Sequence, residues 1–203
     1  LGCGRPPGAD DTALAGRIAG KGLADPRARP MLRMLDRYRT ARGMYRTWLA
    51  PQSRYQCLDP GRDPDPADLT IQMHVYLMLR DLDPPAARLL CAAMQRSAGD
   101  RHLWVYYAKT ALVPYLRSAE LSRLGCALPL PAGRLAHPVP GQEYWSELVR
   151  RLVQTPASGA DADTRAAIRN LLESLANNDF ALLRQAPPLL YHNDLTASVP
   201  RFY

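Results

Sequence analysis

The segment Leu69–Arg80 constrains this chain most. Within it Ile71-Gln72-Met73-His74-Val75-Tyr76-Leu77-Met78-Leu79 is apolar on nearly every helical face. A helix with no wet side must be surrounded, so this one predicts a buried helix inside a larger assembly of helices. Its neighbours carry helical periodicity as well. Thr12 to Lys21 reads as a short helix closed by Gly20 and Gly22, and Met31, Leu32, Leu35, Tyr38 and Ala41 recur at helical spacing after Pro30. Pro84-Pro85 opens a helix to about Ser97. Further helices are expected over Arg101–Leu116 (bent at Pro114), Ser118–Leu124, Gln142–Gln154, Asp163–Leu175, Asn178–Arg184 and from Asp194. Gly43 to Leu49 breaks the pattern and reads as partly extended, while Pro51–Pro66 and Leu128–Pro140 read as loops. Strand signal is nearly absent, so the expected class is all-α.

Composition narrows the rest. The chain has 203 residues, enough for a real core, and 47% hydrophobic with 22% charged residues is a globular balance that argues against wholesale disorder. It contains no apolar run of about 18 residues of the kind that spans a bilayer. The net charge of +7 rests almost wholly on arginine, since Lys21 and Lys109 are the two lysines. The arginines are scattered and interrupted by acids, as arginine-rich codon usage would leave them, and no basic run with interleaved aromatics points to nucleic acid. Four cysteines in this length do not read as a disulfide framework, and Cys91 and Cys126 read as small buried hydrophobes. Leu1-Gly2-Cys3-Gly4 is similar to the end of a lipoprotein signal, but two residues precede Cys3 and no charged or apolar leader supports secretion. A cytoplasmic setting is therefore favoured, with peripheral membrane contact left open. The first residue, Leu1, and the apolar aromatic end Val199-Pro200-Arg201-Phe202-Tyr203 both read as interior positions of a longer protein.

Three helix starts share a pattern. They are Ala9-Asp10-Asp11-Thr12, Ala67-Asp68-Leu69-Thr70 and Asn193-Asp194-Leu195-Thr196, with 58 residues from Asp10 to Asp68 and 126 from Asp68 to Asp194. The second interval is close to twice the first, as stacked helical hairpins with insertions would give. Helix capping alone explains such aspartates, because a carboxylate accepts from the free N–H groups of the first turn. The pair Asp10-Asp11 exceeds what a cap requires.

Pro7-Gly8-Ala9-Asp10-Asp11-Thr12-Ala13-Leu14-Ala15 resembles the D-x-D-D-T-A segment of the squalene–hopene cyclase and class II terpene cyclase superfamily. Asp63-Pro64-Asp65-Pro66-Ala67-Asp68-Leu69-Thr70-Ile71-Gln72-Met73 resembles a second inner-helix start in bacterial relatives of that superfamily, and Tyr191-His192-Asn193-Asp194-Leu195-Thr196 a third. The resemblance implies an α/α toroid of paired helices, partial or truncated, with residues 1–203 as a single toroid domain. It also implies acid-initiated isoprenoid cyclisation in a central apolar cavity, with a hydrophobic isoprenoid-like substrate and no cofactor. Asp10 would then be the general acid and Asp11 its modulator. Tyr45, Trp48, Tyr76, Trp104, Tyr107 and Trp145 would line the cavity and stabilise a carbocation through their faces. Gly8 stands where the family has its first Asp. The glutamine–tryptophan repeats and a D-D-x-x-D segment for magnesium are absent.

The competing expectation is a non-enzymatic toroid that binds a ligand or a protein, with its aspartates as caps and its aromatics as packing. The discriminator is where the Asp10 carboxyl points. Related toroids also include zinc enzymes, and Cys57, His192 and Asp194, with Asp59 nearby, form a candidate ligand set without a C-x-x-C or H-E-x-x-H spacing; the acidic loop of Asp59, Asp63, Asp65 and Asp68 does not match a calcium-binding EF-hand and reads as solvated. His74, on the apolar helix, reads as a hydrogen-bonded core residue.

Overall fold

A computed structural model of the chain describes residues 6–19, 26–56, 64–107, 112–130, 142–154, 159 and 161–185. The described residues are helical with no strand, in keeping with the all-α expectation. The chain divides into two compact units, Leu1–Val105 and Tyr106–Tyr203. No helix among the described residues is long and apolar enough to cross a membrane.

The first unit contains α1 (Ala9–Ala19), α2 (Ala28–Asp36), the short α3 (Gln52–Tyr55), α4 (Leu69–Leu82), α5 (Pro84–Ser97) and a 3₁₀ turn over Arg101–Leu103. Helix α4 is its centre, as its composition requires. Leu69, Met73, Val75 and Met78 are fully buried, and α4 packs against both α1 and α5. Gly16 lets α1 come close. A Cβ there would lie 2.7 Å from Met78 Sδ and 2.9 Å from Met31 Cε. Asp83 ends α4 and caps α5 in one residue: its N–H donates to the Leu79 carbonyl, its side chain accepts from Ala86 N–H, and Pro84 follows at the first helical position.

The stretch after α2 is made of turns, bends and isolated bridges, so Gly43–Leu49 is non-helical and only in part extended. A turn closed by Gly43 N–H to Thr40 C=O uses the positive φ of Gly43. The chain then runs between two other segments. Arg46 N–H donates to Tyr38, Thr47 N–H to Pro66, Leu49 N–H to Pro7, and Ala9 N–H donates back to Thr47. Its backbone groups are thus satisfied without a sheet.

In the second unit α6 (Leu112–Arg123), α7 (Glu143–Gln154), α8 (Ala162–Asn177) and α9 (Ala181–Gln185) pack on their neighbours in chain order. The expected helix over Arg101–Leu116 is interrupted, because Trp104–Tyr107 is not helical, and the helix expected over Ser118–Leu124 is the last part of α6. A 3₁₀ turn capped by Asp100 stops at Leu103, and α6 covers Leu112–Arg123 with Pro114 inside it. The expected helix from Asp194 lies outside the described residues.

Candidate functional site

The site singled out by the sequence is the N-terminal turn of α1. Thr12 N–H donates to Gly8 C=O, so α1 starts at Ala9 and Asp10 lies inside its first turn. Asp68, by contrast, is the true N-cap of α4. The two Asp-x-Thr motifs therefore occupy different helical registers, which corrects the reading of them as one repeated element.

Asp10 is half-buried and Asp11 exposed. Burial pushes the Asp10 carboxyl up to about 6, and the neighbouring Asp11 charge adds to this, with a smaller contribution from Asp68; backbone N–H groups of Asp11 and of Asp10 itself work against it. The carboxyl thus turns back toward the start of its own helix. Gly8 makes room for it. A Cβ at that position would stand 2.7 Å from Asp10 Oδ1 and 3.3 Å from Asp11 Oδ2. A side chain at position 8, the superfamily's first Asp included, would have to displace the pair.

Asp68 is fully buried and both its carboxylate oxygens accept from backbone N–H groups. Oδ1 accepts from Thr70 N–H at 2.8 Å and Ile71 N–H at 3.2 Å, and Oδ2 accepts from Val105 N–H at 2.8 Å. The cap also ties down a segment 37 residues away. Sequence reasoning missed Gln72, one turn on. Its side chain holds both backbone groups of Tyr45, and a lone amide between Ile71 and Met73 in an apolar helix was the available signal.

The six aromatics assigned to a cavity are placed as follows. Tyr45, Tyr76 and Trp104 are buried in the first unit and Trp48 is half-buried there; Tyr107 and Trp145 are buried in the second. Tyr45 receives a hydrogen bond on its hydroxyl from Arg39, whose guanidinium carbon also stands 5.0 Å from the ring centroid. Trp48 pairs with Gly8 in an isolated antiparallel bridge, and its N–H donates to Asp65 Oδ2 at 2.9 Å. Trp145 meets Tyr144 edge-on at 5.4 Å.

Two cavities of the first unit have described linings. One, of about 260 Å³, is walled by Ala15, Gly16, Ala19, Ala28, Met31 and Leu82, with Arg27 as its single charge. The other, of about 240 Å³, is lined by Tyr38, Arg46, Ala50, Gln52, Tyr55, Pro64 and Asp65. Asp10, Asp11 and the six assigned aromatics line neither.

Among the described residues no group of three or more His, Cys, Asp or Glu could hold a metal ion. Cys57, His192 and Asp194 lie outside the described residues. The cysteine reading needs correction. Cys91 and Cys126 are buried, as expected, but each is disulfide-bonded. Pairing depends on Cα separations of about 4.4–6.8 Å, which spacing along a sequence does not reveal. No family model, curated protein or solved structure matches this chain.

Proposed function

We propose that this chain is a non-enzymatic binding module of α/α-toroid type that takes a small hydrophobic molecule, isoprenoid-like in character, with its aspartates serving as helix ties. The 260 Å³ cavity between α1 and α2 carries this reading. Its wall is built from three alanines, a glycine, a methionine and a leucine, residues too small or too flexible to fill it themselves. An apolar cavity of roughly 150 Å³ holds a benzene ring. On that scale 260 Å³ takes about ten carbons. The packing of α1 on α4 and of α4 on α5 supports the paired-helix reading. The disulfides at Cys91 and Cys126 favour an oxidising compartment over the cytoplasm.

Acid-initiated isoprenoid cyclisation is the second reading, and the Asp10 carboxyl at about 6 favours it, since such a group keeps part of its proton near neutrality. Alkene protonation, however, needs a strong acid, and burial beside Asp11 makes Asp10 a weaker one.

Incubation with geranyl- and farnesyl-type alcohols and diphosphates, squalene and oxidosqualene tests both. Saturable binding of the ten-carbon probes without product, unchanged in Asp10→Asn, is the expected result. Cyclised product made by the wild type and lost in Asp10→Asn would establish the second reading. Absence of both binding and product would overturn the first.

A further inference from the structure

Arginines occur along the whole chain, but their excess over acids does not. Between residues 17 and 46 nine cations stand against two acids, Asp25 and Asp36, which leaves +7, while the rest of the chain balances at seventeen of each sign. The entire net charge therefore falls between the end of α1 and the stretch that follows α2.

Within that segment Arg29, Arg33 and Arg37 recur at every fourth position. Arg37 is the C-cap of α2 and keeps helical dihedrals, so the three form one row along one side of the helix, about 12 Å from first to last. All three are exposed, and none has an ion pair or side-chain hydrogen bond among the described residues. Asp36, the acid of α2, is paired with Arg39 at 3.3 Å.

This row works against the helix that carries it. Like charges four residues apart repel by about as much as an opposite pair would gain. Arg29 also lies in the first turn of α2, next to the N-cap Arg27, at the positive end of the helix dipole, and that turn holds no acid. Among the described residues no carboxylate offsets either effect. The row is complementary to anions outside the chain, spread over a length that one small ion does not fill.

Helix α1, which touches α2, adds a second kind of surface. Leu14 is 48% and Ile18 79% exposed, one turn apart on α1. A nucleic acid would neutralise the arginines and leave these two side chains in water, and its bases would find no aromatic in α2 to stack on. A bilayer bearing acidic lipids accepts both kinds: phosphates meet the arginines, and the apolar layer beneath the headgroups takes isoleucine and leucine.

We propose that α1 and α2 form a docking surface for an anionic phospholipid bilayer, with Arg29, Arg33 and Arg37 on lipid phosphates and Ile18 at the acyl boundary. This docking is independent of what the apolar cavity between the two helices holds.

Flotation of the full chain with vesicles of phosphatidylcholine, alone or with about one third phosphatidylglycerol, tests this. Binding is expected to the acidic vesicles, at least about ten-fold weaker to the neutral ones, and falling as salt rises from about 0.05 to 0.5 M. Each arginine near an acidic surface contributes roughly five-fold, so Arg29→Gln, Arg33→Gln and Arg37→Gln together are expected to cost about a hundred-fold. These side chains have no partner to lose, so that triple variant is expected to melt no earlier than the wild type. Arg88, Arg96 and Arg169 are also exposed and without an ion pair among the described residues. Changing these three to Gln removes the same charge elsewhere and is expected to cost less than about five-fold. Ile18→Ser is expected to weaken binding about ten-fold. The docking surface is overturned by no binding to acidic vesicles at low salt, by neutral vesicles binding as well as acidic ones, or by the second triple variant losing as much as the first. Full vesicle affinity in Ile18→Ser, or a short DNA duplex bound more tightly than the acidic vesicles, would overturn the bilayer as its occupant.

Discussion

Gln72 grips the backbone of Tyr45 from both sides. Its Oε1 accepts from Tyr45 N–H at 2.7 Å and its Nε2 donates to Tyr45 C=O at 2.8 Å. Both residues are buried, so the amide replaces a strand neighbour for an extended segment that has no sheet to join. The same Nε2 lies 3.3 Å from the Asp68 carbonyl, which links the grip to the start of α4.

Replacing Gln72 by Ala or Leu would leave a buried N–H and a buried C=O unpaired together. Each such group costs about 1–3 kcal/mol. Gln72→Leu is therefore expected to lose about 2–5 kcal/mol, although it adds apolar surface to an apolar helix. Urea unfolding monitored by circular dichroism checks this. A loss under about 0.5 kcal/mol would place the grip outside the stabilising contacts.

Asp68 poses a related test with a finer grain. Asp68→Ala removes acceptors for Thr70, Ile71 and Val105 N–H at once and is expected to cost more than the roughly 1 kcal/mol of an ordinary N-cap. Asp68→Asn keeps one acceptor for the α4 cap but turns an NH₂ toward Val105 N–H or the reverse. It should fall between wild type and Asp68→Ala. Amide hydrogen exchange at Val105 separates the two effects, because it should quicken in both variants.

Much of this fold was legible because it is local. The apolar belt of Leu69–Arg80 predicts a buried helix and α4 is one; Pro84-Pro85 predicts the start of α5, and α5 begins there. Gly43–Leu49 reads as partly extended, and it is non-helical, with isolated bridges at Tyr45 and Trp48. What failed depended on contacts made in space. Arg101–Leu116 reads as one helix from its pattern, yet Trp104–Tyr107 is not helical in the fold. Asp10 and Asp68 share a motif, but backbone pairing of Ala9 with Thr47 fixes one in a helical turn while the other caps. The cavity lined by Tyr38, Arg46 and Asp65 assembles from three separated stretches and carries no linear motif.

The disulfides at Cys91 and Cys126 make stability redox-dependent. Closing a loop in this way is typically worth about 2–4 kcal/mol. Reduction with dithiothreitol is expected to lower the thermal midpoint by several degrees, and mass spectrometry after alkylation without reduction should find neither Cys91 nor Cys126 modified. Alkylation of either thiol in protein taken directly from its source would contradict both the bonding and the oxidising compartment.

Asp10 sets the pH dependence at the start of α1. Its folded value of about 6 exceeds the ordinary 3.8, so the folded chain holds a proton that the unfolded chain has released. The associated stability is fully present below about pH 4 and is lost as pH rises through about 6. A shift of roughly two units corresponds to about 3 kcal/mol at most, and the partial exposure of Asp10 lowers this toward 1–2 kcal/mol. Asp10→Asn carries a neutral side chain at every pH and should gain on the wild type between pH 4 and 7. The depressed carboxyls of Asp100, Glu147 and Asp161 act in the opposite sense, but they are common to both proteins and cancel in the difference. Unfolding free energies of the pair measured from pH 3.5 to 8 should therefore diverge upward by about 1–2 kcal/mol in favour of Asp10→Asn. A difference that stays flat over that range would mean that Asp10 titrates as an ordinary surface carboxyl, and the acid role proposed for it in cyclisation would lose its one supporting observation.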